Sequence, residues 1–282
     1  QSVSLALFGE SHGPLIGAVL DGMAPGIEVD EARIAESLRR RRPSGAVSTS
    51  RREADEFRIV SGVMNGRTTG TPITILIPNS DVDSSVYAQG PVRPGHADYA
   101  AFEKYHGYED WRGGGHFSGR ITAALVAAGA IAESALLGRG IKIGTHIAEC
   151  ACVRDVPFSD DAEGDIDRLR AQTFPVLCRE RGEEMQRAVE AAAAEGDSVG
   201  GILETCVTGV PAGVGEPWFD TVEGLISHAL FSIPSVKGVE FGQGFAFSRM
   251  RGSLSNDPFR IKDGRIVTSS NNSGGINGGI TN

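Results

Sequence analysis

Four short stretches carry the residue types that do chemistry. GESHG, residues 9–13, sets Ser11 and His12 between glycines directly after the apolar run SLALF. A Gly-x-Ser-x-Gly pattern is the turn on which hydrolases hold a nucleophilic serine, but that turn leads from a strand into a helix. Here Pro14 and LIGAVLDG continue as a second strand, so the context for a nucleophile is missing. What remains is a loop whose backbone approaches something closely, with His12 either a structural histidine or one aimed into a site.

RPGHADY, residues 93–99, puts His96 beside Arg93 on a Pro-Gly turn, with Asp98 placed to orient a neighbour. A histidine next to a guanidinium suits an acid that protonates a departing phosphate; a hydrogen-bonded histidine on a surface turn fits the same residues. RGGGHFSGRITAAL, residues 112–125, runs a glycine-rich loop into a helix N-terminus, whose free N–H groups and dipole attract an anion. From Gly114 to Gly119 the spacing matches a nucleotide-binding P-loop, yet Arg120 and Ile121 stand where that loop needs Lys and Ser or Thr.

RRRRPSGAVSTSRREADEFR brings Arg39, Arg40, Arg41, Arg42, Arg51, Arg52 and Arg58 into one stretch. Complementing a helix dipole explains about two or three of them. A small substrate with several anionic groups explains the rest, because guanidinium forks hold carboxylate and phosphate bidentately. The closing SSNNSGGINGGITN reads either as a low-complexity tail or as an ordered loop approaching a flat ligand.

These stretches need a scaffold. Strand-length apolar runs (SLALF, IGAVL, FRIV, ITILI, IGTHIAECACV, GGILETCVTGV, VKGVEF) cluster in twos and threes, bounded by Gly, Pro or Asn. Helical patterns are fewer: residues 30–41 with Asp30 as N-cap, 121–137, EEMQRAVEAAAAEG closed by Gly196, and FDTVEGLISHAL capped near Asp220. Strands and helices do not alternate strictly, which favours an α+β fold with antiparallel sheets over a doubly wound one. The acidic SDDAEGDID, residues 159–167, reads as a solvated loop.

Of the 282 residues 40% are hydrophobic and 22% charged, enough apolar material for a substantial core. A formal charge of -9 argues against nucleic acid as a partner, since phosphate backbones are held by net basic surfaces. Any anion site is therefore a local basic pocket. Four cysteines without a C-x-x-C pair fit a reduced, cytoplasmic setting. The most apolar segment, 121–137, is too short for a membrane span and carries Glu133, so it reads as a buried helix and no membrane partner is expected.

Taken in order, FGESHG, RRRRP followed by RRE, GRTTGTPI, RPGHADY, RGGG-x-x-SGR, GVPAGVGEP, SVKGVEFG and NNSGGINGGI closely resemble the chorismate synthase family over nearly the whole chain. The resemblance implies a single domain over 1–282 with the family's C-terminal segment absent, including an FMN loop and a catalytic aspartate. It also implies a β-α-β sandwich, with helices packed between two four-stranded antiparallel sheets, and a cytoplasmic homotetramer.

The implied reaction is 1,4-anti elimination of phosphate from 5-enolpyruvylshikimate 3-phosphate, the last step of the shikimate pathway. It depends on reduced FMN, which is regenerated either with NADPH or by a separate flavin reductase, and no metal is implied. By resemblance His96 protonates the departing phosphate and His12 sits by the flavin's pyrimidine end. Ser11, Arg41, Arg52 and Arg93 bind substrate; His116, Phe117, Ser118, Asn272 and Ser273 bind the flavin. Three positions depart from the family pattern: His116-Phe117 replaces Arg-Ser, and Val47 stands where an arginine is common.

Overall fold

SLALFG and LIGAVLD form β1 (Ser4–Gly9) and β2 (Leu15–Asp21), an antiparallel hairpin whose register runs from Ser4↔Asp21 to Gly9↔Ile16. GESHG is the connection between them, so no helix follows Ser11. Gly9 is obligatory there: its φ is +94°, and a side chain would run into the Leu15 carbonyl. The computed structural model describes residues 3–42, 53–80, 90 and 92–282, which fall into two units, Gln1–Thr208 and Gly209–Asn282.

In the first unit the hairpin belongs to a four-stranded antiparallel sheet ordered β1-β2-β6-β3, with β3 at Arg58–Ser61 and β6 at Ile73–Pro78. Between them, β4 (Val63–Met64) and β5 (Arg67–Thr68) make a short separate hairpin. Period-two patterning puts Ile73, Ile75 and Ile77 on one face with Ile16, Ala18 and Leu20, all buried. Each fully buried Ile or Leu contributes about 1.5–3 kcal/mol.

Two helices cover that face. The first, α1 (Glu31–Arg41), begins at Asp30, whose carboxylate accepts from the Arg33 amide at 3.1 Å, and buries Ile34 and Leu38. After α2 (Asp98–Tyr105) comes α3 (Thr122–Leu137), which packs on β2, β6 and α1 through buried Ala123, Ala124, Ala127 and Ile131. Small side chains allow that close approach. The continuous helical run, Gly119–Leu137, reaches 19 residues and is long and apolar enough to cross a bilayer by length and composition alone. It is nevertheless the core helix of this unit, and Glu133 is paired to Arg170 at 2.5 Å.

A second antiparallel sheet, ordered β8-β7-β9, comprises β7 (Lys142–Cys150), β8 (Val153–Arg154) and β9 (Gly201–Thr208). Among the described residues it has three strands, so mixed α+β with antiparallel sheets holds. The stretch expected to be a loop, SDDAEGDID, is largely helical: α4 (Ala162–Arg170) starts at Asp161, which accepts from the Gly164 amide, and buries Ile166 and Leu169 against β7. Their three-residue spacing was the helical signal under the acidic surface. α5 (Arg179–Ala194) closes at Gly196, with φ +74°. All four cysteines are free thiols.

The second unit contains α6 (Val222–Leu230), α7 (Gly252–Ser255), the hairpin β10 (Phe259–Lys262) with β11 (Arg265–Thr268), and the hairpin β12 (Ile276–Asn277) with β13 (Ile280–Thr281). The cap of α6 is Thr221, whose hydroxyl accepts from the Gly224 amide at 3.0 Å, while Trp218–Asp220 form a preceding 3-10 turn. SSNNSGGINGGI is ordered: Asp257 accepts from the Ser270 hydroxyl at 2.7 Å and from the Asn272 and Ser273 amides at 2.8 Å each.

Candidate active site

The three glycines of RGGG all have positive φ, +58° at Gly113, +83° at Gly114 and +54° at Gly115. This left-handed turn is open to glycine alone without strain. It packs against both histidine loops of the first unit. A side chain at Gly113 would overlap the His12 ring and come within 3.0 Å of the Ser11 hydroxyl. One at Gly114 would stand 3.0 Å from the Nε2 of His96 and 3.3 Å from Arg93. Consecutive glycines thus meet the two imidazoles that are far apart in sequence.

The GESHG loop is tied to this turn by its backbone. The Ser11 amide donates to the Gly115 carbonyl at 3.0 Å, and Ser11 is fully buried. From the far side Asn79 donates its amide to the Glu10 carbonyl at 3.0 Å and to the Gly13 carbonyl at 2.8 Å. His116 donates from Nδ1 to the Gly9 carbonyl at 2.9 Å, which leaves its Nε2 for another partner. A hollow of about 340 Å³ opens beside these groups, lined by Glu10, Tyr105, Tyr108, His116 and Phe117 among others. Asp110, also on its wall, is bound through both oxygens to Arg112 at 2.8 Å, and that pairing holds its carboxyl below the usual range.

Arg93 and His96 converge on Asp98. The guanidinium grips the carboxylate through Nε and Nη2, each at 2.8 Å, and the Arg93 amide adds a third bond at 2.9 Å. His96 Nδ1 lies 2.6 Å from the same carboxylate. Hydrogen bonds from Arg93 keep Asp98 well below the ordinary carboxylate range.

Arginines of the arginine-rich stretch meet Arg120, which lies outside it, at Asp55. Arg41, at the end of α1, reaches Thr122 at 3.3 Å and Asp55 at 3.3 Å, with Arg42 3.7 Å from the same carboxylate. Arg120, by contrast, is buried and committed: it holds Asp55, donates to Asn79 Oδ1 at 2.9 Å and to the Pro78 carbonyl at 3.1 Å, and stands 3.9 Å from Glu53. Three guanidiniums face the two carboxylates Asp55 and Glu53, so the cluster carries excess positive charge. Arg52 and Val47 lie outside the described residues.

Ser118 accepts from the Arg120 amide at 3.2 Å and so caps the turn leading into α3, while Phe117 lies 6.2 Å from the Tyr105 ring. Asn272 and Ser273 belong to the second unit. Asp55, Glu53 and Asn79 were not singled out from sequence, although Glu53 and Asp55 alternate within the very stretch that holds the arginines.

A profile of the family described as chorismate synthase matches residues 3–282. The chain belongs to the chorismate synthase family. It is 46% identical over 287 residues to the chorismate synthase of Thermococcus kodakarensis, covering 99% of this chain and 78% of that protein. To the chorismate synthase of Aeropyrum pernix it is 47% identical over 285 residues, covering 99% and 74%. A crystal structure of chorismate synthase superposes with a TM-score of 0.83 at 31% identity, over 100% of this chain and 81% of that one. Membership makes this chain an enzyme of the lyase type, placed in aromatic amino-acid biosynthesis.

Proposed function

We propose that this chain eliminates phosphate from 5-enolpyruvylshikimate 3-phosphate to give chorismate, with reduced FMN as its cofactor. The observation that carries the reading is the glycine turn 113–115, which packs directly against Ser11 and His12 with one residue and against Arg93 and His96 with the next. Hydrolysis through Ser11 is disfavoured, because a strand follows it and its hydroxyl is buried.

The residues present suit a planar group with one polar edge. The turn would be filled by any Cβ, and the adjoining hollow offers the faces of Tyr105, Tyr108 and Phe117 beside the His116 ring. His116, Phe117 and Ser118 would hold the flavin, and Asn272 and Ser273 are proposed separately, within the second unit, as flavin-binding residues. When bound, reduced FMN supplies transient electron density to the substrate. His12 manages a proton at the polar edge. His96 delivers a proton from Nε2 to the departing phosphate oxygen, and Arg41, Arg52 and Arg93 hold the carboxylate and phosphate groups. An otherwise acidic chain needs that local excess of guanidinium to attract a trianion. The same reading includes the full two-sheet sandwich, a cytoplasmic homotetramer, and re-reduction of FMN with NADPH or by a separate reductase.

The test is phosphate release from this substrate by the full polypeptide with reduced FMN under anaerobic conditions. His12→Ala and His96→Ala are expected to retain the fold and lose most turnover. Wild-type rates in both, or flavin binding with no phosphate release by the unaltered protein, would refute the reading.

A further inference from the structure

Asp98 is a carboxylate shared by the two groups that the glycine turn faces at Gly114. It opens α2, accepts three hydrogen bonds from Arg93, and lies 2.6 Å from His96 Nδ1. A carboxylate oxygen that close to a ring nitrogen requires the hydrogen to be on that nitrogen, because two facing lone pairs would repel. Arg93 Nη2, 3.2 Å from Nδ1, is directed to the same oxygen at 2.8 Å, so both donors converge on Asp98 Oδ1.

We infer that Asp98 is a positioning residue of this site, holding the proton of His96 on Nδ1 and thereby dedicating Nε2 to proton delivery, while it fixes the Nε–Nη2 edge of Arg93. The inference deepens the reading of His96 as proton donor and rests on it. In the step concerned, the Nε2 proton passes to the departing phosphate oxygen as its bond to carbon breaks. The imidazolium becomes a neutral imidazole that keeps its other proton on Nδ1, against Asp98. In the opposite tautomer Nδ1 would present a lone pair to the Asp98 carboxylate 2.6 Å away, a repulsive contact that the observed geometry disfavours. Because Asp98 already engages Nε and Nη2 of Arg93, a bidentate grip through that edge is assigned to Asp98 and not to substrate.

The neutral tautomer of His96 is read directly by nitrogen NMR of histidine-labelled protein, in the wild type and in Asp98→Asn and Asp98→Glu. The wild type is expected to carry the proton on Nδ1 and Asp98→Asn to lose that preference. General acid catalysis is worth about 100-fold or more, so kcat for phosphate release should fall by about that factor in Asp98→Asn while KM changes little, and Asp98→Glu should recover part of it. A wild-type neutral ring protonated on Nε2, or an unchanged tautomer in folded Asp98→Asn, would overturn the inference. A changed tautomer with unchanged kcat would keep Asp98 as the positioning group and refute His96 as the proton donor.

Discussion

Gly114 and His96 touch across the site: a Cβ at residue 114 would sit 3.0 Å from both Cε1 and Nε2 of the imidazole. The turn therefore sets where the ring can be, and Gly113 does the same for His12. Gly114→Ala should cost about 1–2 kcal/mol from its left-handed backbone alone and displace His96, lowering phosphate release. Gly129 is the contrast, exposed within α3, where a methyl group would meet no other atom within 4 Å. Gly129→Ala should stabilise by about 0.5–1 kcal/mol. Urea unfolding of both variants checks the pair; equal effects would mean that the turn does not constrain its neighbours.

Arg120 is expected to matter for folding more than for ligand binding. Its side chain and that of Asp55 are 1% and 0% exposed, so removing Arg120 breaks a buried ion pair and strands the Asn79 Oδ1 and Pro78 carbonyl acceptors it serves, although Asp55 keeps Arg41 and Arg42. Breaking such a pair costs about 3–5 kcal/mol. Arg120→Ala should lose about that much in denaturant unfolding, while Arg41 keeps its own contact with Asp55. A loss below about 1 kcal/mol by this measurement, well under the cost of breaking a buried pair, or Mg-ATP binding that depends on Arg120, would revive the P-loop alternative.

What the sequence made legible follows from how local each signal is. Asp30 three residues before Arg33, or Ile73, Ile75 and Ile77 in alternation, declare a cap and a buried strand face within one window. The motif residues of both histidine loops were equally visible. Their meeting at Gly113 and Gly114 was not, since only tertiary packing brings residues 12, 96 and 113–114 together. Arg41 and Arg120 look alike in one dimension and both reach Asp55, and only the tertiary structure shows Arg120 fully buried while Arg41 stays 18% exposed. In α4, charge density at the surface hid the spacing of Ile166 and Leu169.

His146 should give the protein a pH-dependent stability of its own. Fully buried on β7, it has Asp155 at 2.8 Å from Nδ1 and Glu204 at 2.8 Å from Nε2, so both nitrogens must carry hydrogens. Burial alone would lower its titration, but the two carboxylates overcome this and raise it. A raised folded value means the contribution is complete below the unfolded histidine range, near pH 6.5, and is lost as pH rises through the folded value. Hydrogen bonds to charged groups are worth about 1.5–3 kcal/mol. Urea midpoints should thus fall as pH rises above the unfolded histidine range, and His146→Gln should flatten that slope. An unchanged slope in the variant would assign the dependence to other groups.

Asp257 offers a test of the second unit through the flavin alone. Burial pushes its carboxyl up, yet the Ser273 amide, the Ser270 hydroxyl and the Asn272 amide together hold it below the usual range. One ionised carboxylate thereby shapes the turn that presents Asn272 and Ser273. The turn is also locked from behind, where the Gln243 amide donates to the Asn272 carbonyl at 2.7 Å and a side chain at Gly242 would collide with that backbone. Asp257→Asn keeps the size but loses the charge that three donors satisfy. Losing one charged hydrogen bond's worth of loop order, about 1.5 kcal/mol, corresponds to about tenfold weaker FMN binding. Flavin fluorescence titration reads this without turnover. Equal affinity in the variant, with the loop shown intact by hydrogen exchange, would leave the role of Asp257 confined to folding; equal affinity with the loop loosened would remove Asn272 and Ser273 from the flavin contacts.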